Sequence, residues 1–169
     1  GEEITIQPGF RILFTTNPFI FLMKITNNYP SPLPVNMEKV VRNLLEVIPN
    51  EHLVGIDSIT LFDKPQQKKY SDAQGMYWKK YELQPARIEI FLGNIYGEYY
   101  FKKFLMPSRW KWKLAGVLYH EIGHHYRHFT HGINKKQNED FAEKYKKEIR
   151  RKKYPYLVYL VKPLRPVIR

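Results

Sequence analysis

The chain has 169 residues, enough for one domain with a buried core, and 43% hydrophobic and 15% aromatic content supplies that core without disulfides. It has no cysteine, which excludes a disulfide scaffold and every cysteine-based zinc site, so a metal would have to be held by His, Asp or Glu. The net charge of +12 is lopsided: residues 1–100 carry 10 Lys/Arg against 11 Asp/Glu, and residues 101–169 carry 18 against 5.

No apolar run approaches the roughly 18 residues of a membrane-spanning helix. The longest, Phe19–Met23, suits a short strand. No signal peptide is visible, although the chain starts at Gly1 and not Met, and the expectation leans towards the cytoplasm. Glu3–Gln7, Phe10–Thr15 and Phe19–Ile25 are rich in Ile, Phe and Thr and predict short strands. Pro30, Pro32 and Pro34 stiffen the connector that follows. Asn36 is placed to cap a helix over 37–48, where Val40, Val41, Leu44, Leu45 and Ile48 recur at helical spacing. Leu53–Phe62, Met76–Leu83 and Arg87–Ile95 predict strands, the last alternating Ile88, Ile90 and Leu92. Pro107 opens a helix to about Phe129. A second helix covers about Lys135–Lys152, with Asn134 and Gln137 at the spacing of a capping box. Tyr154–Arg169 is Pro-interrupted but apolar at Leu157, Val158, Leu160 and Val161, which suits an exposed strand or arm. This order predicts an α+β fold: a small mixed or antiparallel sheet, an N-terminal backing helix and two C-terminal helices.

His120-Glu121-Ile122-Gly123-His124 lies within the first of those two helices. Histidines four apart project from one helix face about one turn apart, which lets both imidazoles reach one tetrahedral Zn²⁺. Glu121 sits about 100° further round, where it can act as a general base without ligating the metal. Chance should produce this arrangement in on the order of one chain in a hundred of this length. With His120 at the origin, Leu114, Leu118, Ile122, Tyr126 and Phe129 fall within about 120–240°, so an apolar arc faces the core opposite the histidine pair. Gly123 costs helix stability but leaves room near the metal. A third ligand is needed. Thr130 stands where a third histidine six residues on would fall, and Arg127 where that pattern has Gly, so the metzincin pattern is not met. Glu139 on the next helix is the better candidate, with Asp140 its rival. Glu143, one turn on, is placed to accept a hydrogen bond from a ligating imidazole. His125 falls within the apolar arc and is expected to be a partnered core histidine.

The basic C-terminal region attracts an anionic partner, or is a solvated lysine-rich surface. Trp110 and Trp112, flanked by Arg109, Lys111 and Lys113, suit either stacking on nucleic acid or packing beneath snorkelling lysines.

The motif, a short connection and Asn138-Glu139-Asp140-Phe141-Ala142-Glu143 together resemble the gluzincin clan of zinc peptidases, whose third ligand is a Glu on a second helix. The Glu139-to-Ala142 spacing is similar to the catalytic domain of the anthrax lethal factor family. The thermolysin-like pattern E-x-x-x-D has Glu143 in place of its Asp. The small size, and a strand such as Arg87–Ile95 before the motif helix, resemble single-domain minigluzincins. The resemblance is close over the last third of the chain and loose before it. It implies a zincin-like metallopeptidase domain over 1–153, zinc on His120, His124 and Glu139, Glu121 as the base, and hydrolysis of a peptide or protein substrate. It also implies that Ile88, Ile90 and Leu92 lie on a rim strand pairing with extended substrate. Among His131, Tyr126 and Tyr77 it implies a group that steadies the tetrahedral intermediate. Finally, the resemblance suggests an arm at 154–169 that covers the cleft and keeps the enzyme latent, or else adds a strand. Two rival expectations stand beside it: a zinc domain without turnover, and a basic nucleic-acid-associated protein whose salt-dependent binding survives loss of Glu121.

Overall fold

The computed structural model describes residues 23–97, 107–130 and 134–156. The strands expected at Glu3–Gln7 and Phe10–Thr15, the residue His131, and the arm beyond Tyr156 lie outside them. The protein is α+β. Four strands, β1 (Lys24–Asn27), β2 (Ile56–Phe62), β3 (Gly75–Trp78) and β4 (Ala86–Phe91), form one sheet in the order β1-β2-β4-β3. The pairs β1/β2 and β2/β4 are parallel and β3/β4 is antiparallel, so the sheet is mixed. Parallel neighbours need a crossover, and helix α1 (Met37–Leu45) lies in the one between β1 and β2. Asn36 caps α1, its side chain accepting the Lys39 N–H at 2.9 Å, and Val41, Leu44 and Leu45 are buried.

Register explains the core. Ile25, Ile59, Ile88 and Tyr77 align across the sheet as one row, and Asn27, Leu61, Ile90 and Gly75 as the next inward row. Because strand side chains alternate, Ile59, Leu61, Ile88 and Ile90 all point inward and are fully buried, each contributing roughly 1.5–3 kcal/mol. Both rows end, at the β3 edge, on residues that meet helix α3 (Pro107–Thr130): Tyr77 and Gly75.

Strand ends differ from the sequence expectation for visible reasons. β2 starts at Ile56 because a 3₁₀ turn over Asn50–His52 and Gly55, at φ +92°, precede it. β3 stops at Trp78 because the chain must reverse into β4, which it does through a hairpin closed by Tyr81 and Gln84. β4 stops at Phe91, and Leu92–Tyr96 form a short helix, α2. There the Gly93 N–H binds Asp63 O at 2.8 Å, an approach a Cβ at 93 would block at 2.2 Å from Asp63 Oδ1.

α3 buries Leu114, Leu118 and Ile122 completely, the arc opposite the histidine pair. Helix α4 (Lys135–Lys153) buries Ala142, Tyr145 and Ile149 at 3- and 4-residue spacing. Its Asn134 cap accepts from Lys136 N at 3.0 Å, one residue short of the Gln137 that box spacing predicts. The two helices pack together. Gly123 is the reason they come so close: a Cβ there would stand 2.9 Å from Ala142 Cα. The space that Gly123 opens is filled by α4 and not left beside a metal. Trp110 is buried with Lys111 over its ring at 5.6 Å, so this tryptophan packs beneath a lysine. Among the described residues no helix is long and apolar enough to cross a membrane.

Candidate metal centre

The close α3–α4 approach sets three donors against one another. His120 Nε2 and His124 Nε2 are 3.0 Å apart, Glu139 Oε2 is 3.4 Å from the first, and Glu139 Oε1 is 3.6 Å from the second. A tetrahedral ion with bonds of about 2.0–2.1 Å separates its ligand atoms by about 3.3 Å, so these spacings match one face of such a shell. The group His120, His124 and Glu139 could hold a metal ion. Asp140 is exposed and is not part of it.

The chemistry of the donors fits a cation. Burial lowers the pKa of His120, and the neighbouring His124 and Lys146 lower it further against the opposing pull of Glu139 and Glu143. That favours the neutral imidazole, the form that ligates. The two Nε2 atoms and the carboxylate oxygens meet at one place, so rings unprotonated at Nε2 would turn their lone pairs on one point. The buried Nδ1 atoms of both histidines have no hydrogen-bond partner among the described residues. Glu143 Oε1 stands 3.3 Å from His120 Nδ1, within ion-pair range but off the line of a hydrogen bond. Glu143 is itself held by Lys146, whose hydrogen bond is the main reason its carboxyl sits below the usual range.

Glu121 is separate from the donor trio. It is 7% exposed, and burial pushes its carboxyl up to about 8, although a Tyr77 backbone N–H opposes the shift. The β3 edge runs directly over it: a Cβ on Gly75 would lie 2.6 Å from Val117 Cγ1 and 2.9 Å from Glu121 Cγ and Oε1. Glycine at 75 is what lets the strand cross the helix at this point. A cleft of about 370 Å³ opens here, lined by Gly75, His120, Glu121, Glu143 and three cations, Lys113, Lys146 and Arg150. A larger groove of about 610 Å³, lined by Phe62, Tyr70 and Trp78, contains none of the metal donors.

The remaining expected residues fall elsewhere. Ile88, Ile90 and Leu92 cannot form a rim strand: the first two are fully buried on β4, which is paired on both sides, and Leu92 is buried in α2. The strand at the sheet edge beside α3 is β3, which covers the start of the strand expected over Met76–Leu83, and nothing in the sequence marked it, and not β4, as the edge. His125 is 1% exposed. Its Nε2 lies 2.9 Å from Val54 O, so that nitrogen carries the proton, and Nδ1 faces the Tyr77 hydroxyl at 3.2 Å. Tyr77 is thereby engaged away from the donors, and burial pushes its hydroxyl up to about 12. Tyr126 packs on His52, with ring centroids 3.8 Å apart, and near Phe141 and Tyr145. Lys113 entered the sequence reading only as a flank of Trp112, and Lys146 and Arg150 were missed by it. Their signal was present, since Glu139, Glu143, Lys146 and Arg150 are 4, 3 and 4 residues apart and form one stripe on α4. No family model and no curated protein matches the chain, and no solved structure does.

Proposed function

We propose that the chain is a zinc-dependent peptidase of the gluzincin type. One observation carries this reading: three metal-competent donors converge from two helices, while a further carboxylate, Glu121, is buried beside them without joining the set. A purely structural site has no need of that extra carboxylate. Two neutral imidazoles and a carboxylate suit zinc, and three protein ligands leave a position for chemistry. Zinc at this centre supplies Lewis acidity towards the scissile carbonyl and the attacking water.

The protein's own groups do the rest. Glu121 takes the proton of the attacking water and passes it to the leaving amine. Its raised pKa, near neutrality, suits a group that must both accept and release a proton. An extended peptide lies along the β3 edge, beside Gly75, as an added antiparallel strand. Glu143 restrains the His120 ring, and Lys146 restrains Glu143.

The test is digestion of a mixed peptide library by zinc-loaded wild type and by Glu121→Gln. Cleavage by wild type alone supports the peptidase and its base. Zinc binding without cleavage by either protein points to a non-catalytic zinc domain. Equal cleavage by both removes Glu121 from its role.

A further inference from the structure

On the α4 stripe only Glu139 is a metal donor, with Glu143 next to it beside His120. Beyond Glu139 and Glu143 the same face carries Lys146 and Arg150, and opposite them α3 presents Lys113 and Gly116. Arg150 is held rigidly. Its Nη2 donates to Trp112 O at 2.6 Å, its guanidinium lies 4.1 Å over the Trp112 ring, and Gly116 makes room for it, since a Cβ there would be 2.8 Å from Arg150 Cζ. Among the described residues no carboxylate stands within ion-pair range of this guanidinium, and its buried Nε has no hydrogen-bond partner. Desolvation of a cation without a counter-ion is costly, and burial accordingly lowers the pKa of Arg150. Lys146 is matched by Glu143, whereas Lys113 is exposed and in no ion pair among the described residues. The cleft that reaches Glu121 therefore has two cations in excess of its neighbouring ion pair.

Resting on the peptidase reading, we propose that this cleft receives a substrate carboxylate close to the scissile bond, with Arg150 and Lys113 as its partners. A fixed planar guanidinium suits a carboxylate better than a mobile ammonium does. The carboxylate belongs either to an Asp or Glu side chain flanking the bond or to the C-terminus of the peptide.

The experiment uses the zinc-loaded full chain and peptide pairs that differ by one group. One arm exchanges Glu for Gln at each position flanking the cut, in C-terminally amidated peptides. The other exchanges a free C-terminal acid for the amide. We expect a preference of about tenfold in kcat/KM for the carboxylate form, the size of one charge-assisted hydrogen bond, in whichever arm identifies its source. Arg150→Gln should bring that preference close to unity. Lys113→Gln, at an exposed position that leaves the fold intact, should reduce it severalfold. Equal cleavage of the pairs, or a preference that neither variant moves, overturns the proposal while the peptidase stands. If no peptide is cleaved, fluorescence anisotropy of the same labelled peptides decides separately. Tighter binding of the carboxylate form, lost in Arg150→Gln and weakened in Lys113→Gln, keeps the cleft assignment, and equal or undetectable binding overturns it.

Discussion

The sheet with α1 and the α3–α4 hairpin solve different problems. The sheet half is near electrical balance and gains its stability from rows of inward isoleucines and leucines fixed by register. The helical pair carries most of the excess positive charge and all three candidate metal donors, and it gives up helix propensity at Gly116 and Gly123 for close approach. The inward apolar rows are thus concentrated in one region and the candidate metal donors in the other. They meet where β3 crosses α3 at Gly75 and where Tyr119 donates to Leu44 O at 2.9 Å, tying the motif helix to the end of α1.

If that division holds, the largest effect on function comes from the donors. His120→Ala should abolish stoichiometric zinc binding, measured by metal analysis after dialysis, and should change metal-free stability little. Zinc at about 100 times its dissociation constant should stabilise wild type by about 2.7 kcal/mol and leave the variant unmoved. A variant that still takes up one zinc per chain would break the proposed centre. The complementary cut is in the sheet. Ile88→Ala should cost about 2–5 kcal/mol in denaturant unfolding, because Ile88 is fully buried between two paired strands. The folded fraction should bind zinc normally, and a large loss of affinity there would show that the two regions are not separable.

Gly123→Val tests the hairpin itself. The new Cβ meets Ala142 backbone at 2.9 Å, so α4 must move as a body and cannot yield by one rotamer. The expected cost is about 1–3 kcal/mol of stability, together with weaker zinc affinity, because Glu139 rides on the displaced helix. Unchanged affinity would mean that the α3–α4 spacing does not set the donor geometry.

The helices were legible in the sequence because their signals are local. The apolar arc at Leu114, Leu118 and Ile122 and the caps at Asn36 and Asn134 depend only on near neighbours. The four-residue spacing of His120 and His124 needs no knowledge of the rest of the fold. Glu139 could be proposed because a short connection brings the next helix back. What was hidden depends on the arrangement of distant segments. The alternation of Ile88 and Ile90 revealed a buried strand but not that both its edges are taken, which only the order β1-β2-β4-β3 decides. Gly75 looks like any loop glycine until β3 is laid across Glu121. Arg150 looks like one cation among many until α3 brings Trp112 and Gly116 against it.

The smallest effect belongs to the joint between the regions. His52, on the turn that leads into β2, places Nδ1 2.9 Å from the Tyr145 hydroxyl of α4 and stacks on Tyr126 of α3. Burial lowers its pKa below 6.5, and Lys152 adds to this, whereas Glu51 and Glu148 pull the other way. The folded state therefore prefers the neutral ring. Above the unfolded value of 6.5 both states are neutral and the contact is fully present. As pH falls through 6.5 towards the lowered folded value, the unfolded chain takes up the proton first and stability declines. Because His52 is only partly buried, the decline is modest. Metal-free protein should show a shallow drop in melting temperature between about pH 7 and pH 5, and His52→Gln should flatten part of that slope while lowering the plateau slightly. A slope identical in wild type and variant would place the acid sensitivity in other groups and leave His52 a packing residue alone.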